Sequence, residues 1–448
     1  MNQPDEEGGH ADRTEPLPES RRLRRPWWLP HFLGRVPLGL EERHLTLVGL
    51  VSLAAAFESY DLSMLTSALK QIRESFGLGQ SEAVSLFAWI RLGAIPALIV
   101  VPLADRLGRR RVFLSAIVGM SIGTVVSGFA TTPTFFVAAQ TVTRTFLVAA
   151  TACAVVIVAE ELPARHRGWG VGMLGAIGSF GFGFGALLYA FVDALPWGWR
   201  TLYFVGGAPL FLLPFFRKRL HETSRFLQER QSRVANRVDP GAWISPLIEL
   251  VREHPGRSVA VAAMAFLFSA GATPAFGLLS DFVQTTHGWE PRSYSLMALV
   301  AGGFGVVGNS VMGWAADRRG RRPMAALAFG FFPFAAMGVY YGPAIFVPFL
   351  WAPFVFFLTG GNVLLRIIAT ELFPTSSRNT AMGWETLMET LGGAAGFALV
   401  GLLTLPGSSI APAAVAVSGM ALLAVVVIRL IPETAGRELE LTSRPVGD

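Results

Sequence analysis

Residues 102–111 read PLADRLGRRR, and residues 313–322 read GWAADRRGRR. Each stretch sets several arginines, one aspartate and a glycine among them at the end of a run of about twenty almost uncharged residues, long enough to cross a bilayer as a helix. Gly108 and Gly320 permit a sharp reversal inside each knot. A charged turn of this kind, written twice between apolar runs, reads as the short loop between two membrane spans.

Composition supports that class. Of the 448 residues, 52% are hydrophobic and only 15% are charged, against about 25% charged in soluble domains. The mean hydropathy is +0.48. Too little polar surface exists to cover a soluble core of this size. The net charge of +6 is no sign of a nucleic-acid partner. The basic residues, nearly all arginine, lie between the apolar runs, as in the cytoplasmic loops of membrane proteins. Cys153 stands alone and forms no internal disulfide; it reads as a small packing residue. The N-terminal MNQPDEEGGHADRTEPLPESRRLRRPWW has no short apolar core before small residues, so it is not a signal peptide. It reads as a cytoplasmic tail whose basic patch at Arg21–Arg25 sets topology or touches anionic lipid.

Twelve apolar segments predict twelve spans, at 45–66, 81–104, 112–130, 134–160, 168–191, 200–217, 258–283, 293–316, 323–341, 343–371, 379–403 and 411–430. With the N-terminus inside, about 30 of the 37 Lys and Arg residues fall in cytoplasmic segments, and Lys70, Arg73, Arg200 and Arg292 fall outside. Both termini and both knots are then cytoplasmic.

The halves repeat in one register. Asp105 and Asp317 are 212 positions apart; Glu160 and Glu371, Pro163 and Pro374, and Arg167 and Arg378 are each 211 apart. FGL at 76–78 matches HGW at 287–289 with the same spacing. This predicts an all-α membrane protein of two six-helix bundles related by an axis along the membrane normal. Its parts are a cytoplasmic tail at 1–44, a first bundle at 45–217, a cytoplasmic loop at 218–257, a second bundle at 258–431 and a tail at 432–448. Two similar bundles can rock about a central site.

Charges inside spans are expensive and mark function. At about 1.5 Å per residue, Glu58, Asp61, Arg91 and Arg144 all fall near the membrane midplane. Glu58 and Asp61, three apart, share a helix face. The positions one repeat later are Ala272 for Asp61, Gly303 for Arg91 and Val355 for Arg144, so these charges are not duplicated. The second half has its own set: Asn309, Arg366, Glu385 and Glu389. Arg366 lies at a depth similar to Glu385 and offers it a partner. Asp281, near the outer end of the seventh span, reads as solvated. The glycines at 178, 181, 183 and 185 read as permitting close helix packing. No metal-ligand cluster, phosphate loop or nucleophile motif stands in the soluble segments, so neither an enzyme nor a cofactor or metal site is expected.

The knots resemble the G-x-x-x-D-R-x-G-R-R signature of the major facilitator superfamily, with Pro102 a departure in the first copy. HETSRFLQ at 221–228, PETAGRELE at 432–440 and the E-x-x-P-x-x-x-R boxes at 160–167 and 371–378 resemble the sugar-porter-like branch. The resemblance spans about residues 45–440 and implies the major facilitator fold, acting as a monomer in the plasma membrane. It also implies cytoplasmic latches between helices, closed when the protein faces outward, formed by Asp105, Arg109, Glu160, Arg167, Asp317, Arg321, Glu371 and Arg378. Glu160 with Arg167, and Glu371 with Arg378, offer Asp105 and Asp317 partners at the same depth.

ESYD at 58–61 resembles the D-G-x-D of aromatic-acid:proton symporters, with Glu58 in place of the first Asp. By that analogy Asp61, with Glu58, takes up the proton. Arg144 matches in placement an arginine those relatives carry. Arg144, Arg91, Tyr60, Asn309 and Glu389 are the expected substrate contacts; the competing reading is a static buried ion pair that orders the bundle. The expected function is proton-coupled symport of a small organic anion, an aromatic or aliphatic carboxylate, with substrate, proton and bilayer as partners. Three alternatives stay open. A sugar or polyol symporter lacks support, because the seventh span reads SAGATPAFGLL without the sugar-porter glutamines and the fifth has no glutamine. A drug antiporter is disfavoured by the missing proline in the glycine-rich fifth span. A non-transporting sensor lacks a large soluble domain.

Overall fold

The structure, a computed structural model, describes residues 26, 28, 29, 36, 37, 39–97, 100, 104, 107–163, 166–223, 226, 245–374 and 377–435. The N-terminal tail with its basic patch and the end of the C-terminal tail lie outside the described residues. Among the described residues the chain forms seventeen α-helices and no strand. In chain order these are α1 (Glu42–Ser67), α2 (Leu69–Ser75), α3 (Gln80–Leu92), α4 (Arg109–Gly128), α5 (Pro133–Glu161) and α6 (Arg167–Tyr189). They continue with α7 (Trp199–Val205), α8 (Pro209–Arg219), α9 (Ser245–Glu253), α10 (Pro255–Gly277), α11 (Leu279–Thr286) and α12 (Pro291–Arg319). The last are α13 (Arg321–Tyr341), α14 (Val347–Glu371), α15 (Arg378–Leu403), α16 (Ala411–Ser418) and α17 (Met420–Ile428).

Among the described residues, ten helical stretches are long and apolar enough to cross a bilayer, α16 and α17 together making one of them. The other two expected spans are interrupted. The run 81–104 leaves helix after Leu92 and turns at Gly93–Pro96. The run 200–217 splits at Gly206–Ala208 into α7 and α8. Proline at the start of a new helix and glycine beside it supply both breaks. The local signals at intact helix starts are equally plain: Thr132 caps α5 by accepting from the Phe135 N–H at 3.3 Å, with Pro133 in the first turn.

Small residues set the helix pairing. α1 packs along α6, and α10 along α15. A Cβ on Gly181 would collide with the Ala56 carbonyl, and one on Gly185 would lie 2.8 Å from Ser63 Cβ. One repeat later, Cβ atoms on Gly392 and Gly396 would collide with the Phe266 and Ala270 carbonyls. The glycine stripe read in the sequence therefore packs helix against helix, and its equivalent recurs in the second half. Gly183 differs: it faces Leu299 of α12, across the boundary between the halves.

The two halves meet unequally along their length. One apolar cluster runs through the second half and into the first through Tyr60, Leu65, Leu69, Phe87, Tyr189 and Tyr203. A separate cluster, around Val48, Phe113, Ile157 and Phe216, fills the first half at the end that carries its arginine knot. The cores are thus fused far from the knots and divided near them. Substituting Gly181→Val or Gly392→Val should cost about 1–3 kcal/mol of stability through overpacking, read as a lower thermal midpoint in detergent, whereas Gly172→Ala, which meets nothing within 4 Å, should leave the midpoint in place.

Candidate functional site

The charges inside the spans come together from both halves. On α1, Glu58 is partly buried and Asp61 is only 3% exposed. Arg144 of α5 places Nη2 3.7 Å from Glu58 Oε1. On the other side, Arg366 of α14 places Nη2 3.9 Å from Glu389 Oε2 on α15. Both separations exceed the roughly 2.7–2.9 Å of a charge-assisted hydrogen bond. These are ion pairs without a tight bond. At 3.7 Å and an effective dielectric of about 20, the gross attraction is about 4 kcal/mol, and desolvation offsets much of it. Such a pair is held loosely enough to be exchanged for another anion.

Arg91 of α3 joins the two pairs. It lies in the electrostatic field of Arg144, Glu389 and Glu58. Its guanidinium rests on Gly393 of α15, where a Cβ would come 2.7 Å from Arg91 Nε. A glycine at that point is what lets an arginine of one half lie flat on the other. Arg366 is 58% exposed although it sits well inside α14, so it borders an open space between the halves. Glu385, expected beside Arg366, is not in the ion pair: Arg366 reaches Glu389, one turn further along α15, and Glu385 is 1% exposed.

Two further expected substrate contacts, Tyr60 and Asn309, take no part in these ion pairs. The Tyr60 hydroxyl donates to the Leu202 carbonyl at 2.8 Å, and its ring packs beside Phe184, all within the first half. Asn309 is exposed on α12.

The knots form two matched clamps. Arg109 bonds Glu160 through Nη2 at 3.0 Å, and Thr223 donates to the same carboxylate at 2.6 Å. Arg321 bonds Glu371 at 3.0 Å, and Thr434 donates to Glu371 at 2.6 Å. Gly108 and Gly320 both adopt φ 103°, a conformation that favours glycine. Just beyond them, Glu222 accepts from the Arg110 N–H at 3.0 Å and Glu433 from the Arg322 N–H at 3.1 Å. Burial alone would push the Glu433 carboxyl up. The backbone N–H groups of Ala435, Arg321, Arg322 and Thr434 outweigh it and hold Glu433 below the ordinary range.

Within the boxes, Glu160 and Arg167, and Glu371 and Arg378, do not pair with each other. Glu160 and Glu371 take the knot arginines Arg109 and Arg321 rather than Arg167 and Arg378. Arg167 donates to its own turn, to Leu162 O at 3.3 Å, and Arg378 Nε and Nη2 find no partner among the described residues. Asp317 pairs with Arg321 across the reversal at 2.6 Å and is 64% exposed. Asp105 lies outside the described residues. Each of these bonds stays within one half.

Bonds between the halves gather at the opposite end. Arg73 Nε donates to Asp281 Oδ1 at 2.6 Å, and Gln80 donates to Asp281 Oδ2 at 2.7 Å. Asp281 is 1% exposed, so the solvated carboxylate expected there is instead a buried cross-link. Ser280 donates to Ser67 O at 2.6 Å. Gln71 donates to Gln284, Gln284 to the Tyr189 hydroxyl, and that hydroxyl to Gln71, closing a ring of bonds of 2.7–3.0 Å. The signal for this ring was present: Gln71 and Gln284 are 213 residues apart, close to the repeat register, and are amides at equivalent span ends. With the far end bonded and the core divided near the knots, the space between the halves opens toward the knots.

The Major Facilitator Superfamily model matches residues 51–366 and 261–446. The chain belongs to that family: it is a multi-pass membrane transporter and not an enzyme. Among curated relatives, the gallate transporter of Pseudomonas putida is 27% identical over 360 residues, covering 74% of this chain and 79% of its own. The 3-(3-hydroxy-phenyl)propionate transporter of Escherichia coli is 25% identical, covering 84% and 90%. Among solved structures, a D-xylose-proton symporter superposes with a TM-score of 0.72 at 19% identity, covering 88% of this chain and 99% of that one.

Two outcomes test the site's mechanical frame. Removing the Arg73–Asp281 bond with Asp281→Asn should forfeit about 1.5–3 kcal/mol, so a Ser280→Cys probe in a Cys153→Ser background should react with an impermeant maleimide about ten- to a hundredfold faster. Gly393→Val should displace Arg91 and cut transport about tenfold or more without altering any charge, whereas Gly302→Val on α12, where a Cβ meets nothing within 4 Å, should leave the rate unchanged.

Proposed function

We propose that this chain is a proton-coupled symporter for a small aromatic carboxylate, working by alternating access. The observation that carries the reading is Arg144 beside Glu58, with Asp61 three residues further along α1 and buried. A substrate carboxylate and Glu58 compete for the same guanidinium. A proton on Asp61 or Glu58 removes a negative charge from that competition and leaves Arg144 to the substrate. Loss of the proton returns the arginine to Glu58 and weakens the site. Protonation and substrate binding therefore favour one another, which is what symport requires. Arg91 serves as the second cation, placed where movement of one half against the other changes its neighbours.

The relatives support the substrate class: gallate and 3-(3-hydroxyphenyl)propionate each join an aromatic ring to a carboxylate. The bias of Lys and Arg toward the knots and termini supports a cytoplasmic placement for them. On that placement the conformation described here faces the cytoplasm. The spans of the two bundles, 45–217 and 258–431, rock about the charges between them. The twin clamps keep the knot of each bundle rigid during that movement.

The test uses proteoliposomes with an inward proton gradient and labelled gallate or 3-(3-hydroxyphenyl)propionate. Uptake should accumulate substrate and collapse with a protonophore. Asp61→Asn should lower accumulation about tenfold or more at a pH difference of about one unit while retaining substrate exchange. Arg144→Ala should raise KM about tenfold or more, since a bond between charged groups contributes about 1.5–3 kcal/mol, with Arg144→Lys intermediate. Full gradient-driven accumulation by Asp61→Asn would sink the assignment of the proton site, and an unchanged KM in Arg144→Ala would sink that of the anion site.

A further inference from the structure

Glu385 is the buried charge within the spans that the mechanism above leaves unused. It lies on α15 and is 1% exposed. Its Oε2 accepts a 3.3 Å bond from Thr386 Oγ1, while Oε1 has no partner among the described residues. The cation nearest in kind, Arg366 of α14, is paired with Glu389. Glu389 itself stands one turn along the same helix, so a like charge faces Glu385.

The surrounding elements add no closer counter-charge. α3 brings Arg91, which rests on Gly393, two turns further along α15. α10 brings Ser269, bonded to the Glu389 carbonyl, and Thr273; nearer the depth of Glu385 its Ser258 carbonyl accepts from Trp384, the neighbouring Arg257 donates to the Leu372 carbonyl at 3.0 Å, and His254 just before the helix packs against Phe373. α16 carries no titratable side chain. On α9, Glu249, Arg252 and Glu253 are exposed. An ionised carboxylate so enclosed, without a cation in ion-pair reach and with another carboxylate beside it, is costly; a protonated one is not.

The arrangement at Asp61 is the same in kind. Asp61 is 3% exposed and its Oδ1 is unpartnered, one turn from a carboxylate, Glu58, that is loosely paired with an arginine. Each half therefore sets a buried, unpaired carboxylate one turn from a loose arginine–glutamate pair. The order differs: the unpaired group follows the paired one in α1 and precedes it in α15. These are not copies of one residue, because the position one repeat after Asp61 is Ala272.

We propose that Glu385 is a second proton-binding site of the transport cycle, belonging to the second half as Asp61 belongs to the first. It rests on the symport reading. When a substrate anion draws Arg366 from Glu389, or when the cycle moves α14 against α15, the charge beside Glu385 changes and its proton is held or released. A transport cycle then carries one proton more than Asp61 alone accounts for.

Two measurements test it. The first needs no substrate: infrared spectra of the full-length protein in lipid nanodiscs at neutral pH, in water and in deuterated water. Glu385→Gln should delete one protonated-carboxyl C=O band and Asp61→Asn a different one, while Glu385→Asp keeps a band at a shifted position. The second measures the accumulation ratio of gallate in proteoliposomes against an imposed pH gradient. Glu385→Gln should couple one proton fewer, lowering accumulation about tenfold at a pH difference of about one unit. Wild-type uptake indifferent to the proton gradient would overturn both the symport reading and this site. Wild-type uptake that is coupled, with Glu385→Gln retaining every band or the same accumulation, would overturn this site alone.

Discussion

A charge in hydrocarbon is tolerated where the protein supplies its counter-charge, and that constraint organises the middle of this molecule. Glu58 and Arg144 come from one half, Glu389 and Arg366 from the other, and Arg91 lies between them. Each half pairs two of these charges within itself, and Arg91 links the two pairs. The first half carries Arg91, whose guanidinium lies on a glycine of the second; the second carries Glu389, which lies in the field of that arginine. The interface is therefore an electrostatic one at its centre, and anything that alters a charge there alters how the halves fit.

The rest of the fold serves to bring those charges to one depth while leaving room between them. Glycine stripes let α1 sink against α6 and α10 against α15, and the backbone contact at Gly181 and Gly392 leaves little freedom of rotation. With the rotation of α1 and α15 set, Glu58 and Glu389 are aimed at the arginines of neighbouring helices. At the knots, each half closes its own turn with an arginine–glutamate bond and a threonine on the same carboxylate. Those bonds do not cross between the halves, so they make each half a stiff body and leave movement to the boundary.

Much of this was legible in the chain. The spans followed from apolar runs, the duplication from anchors 211 or 212 apart, and the depth of Glu58, Asp61, Arg91 and Arg144 from counting residues along helices. The packing role of Gly181 and Gly185 followed from their spacing. Partner choice was not legible. Glu160 takes Arg109 rather than Arg167, and Arg366 takes Glu389 rather than Glu385, because pairing depends on helix rotation and tilt to within one turn. Asp281 read as solvated because its partners, Arg73 and Gln80, are about two hundred residues away and reach it only when the halves meet. The interruptions at Gly93–Pro96 and Gly206–Ala208 were visible as residue types but not as breaks, since membrane helices also carry glycine and proline without losing continuity.

What repeats and what does not divide the work. The repeated features, the clamps, the positive-φ glycines and the close helix contacts, are mechanical and nearly superposable in their distances. The unrepeated features are the titratable groups between the halves. Duplication of a bundle yields two stiff bodies with a boundary, but a perfectly repeated boundary would present like charges to each other across the axis. Replacing Asp61 by Ala272 and Arg144 by Val355 in the second copy removes that conflict, and Glu385, Glu389 and Arg366 then supply a complementary set at other positions. The loose 3.7 and 3.9 Å pairs follow from the same compromise. A tighter pair would stabilise one arrangement of the halves at the expense of the other, whereas pairs that a carboxylate or a proton can disturb leave both arrangements within reach.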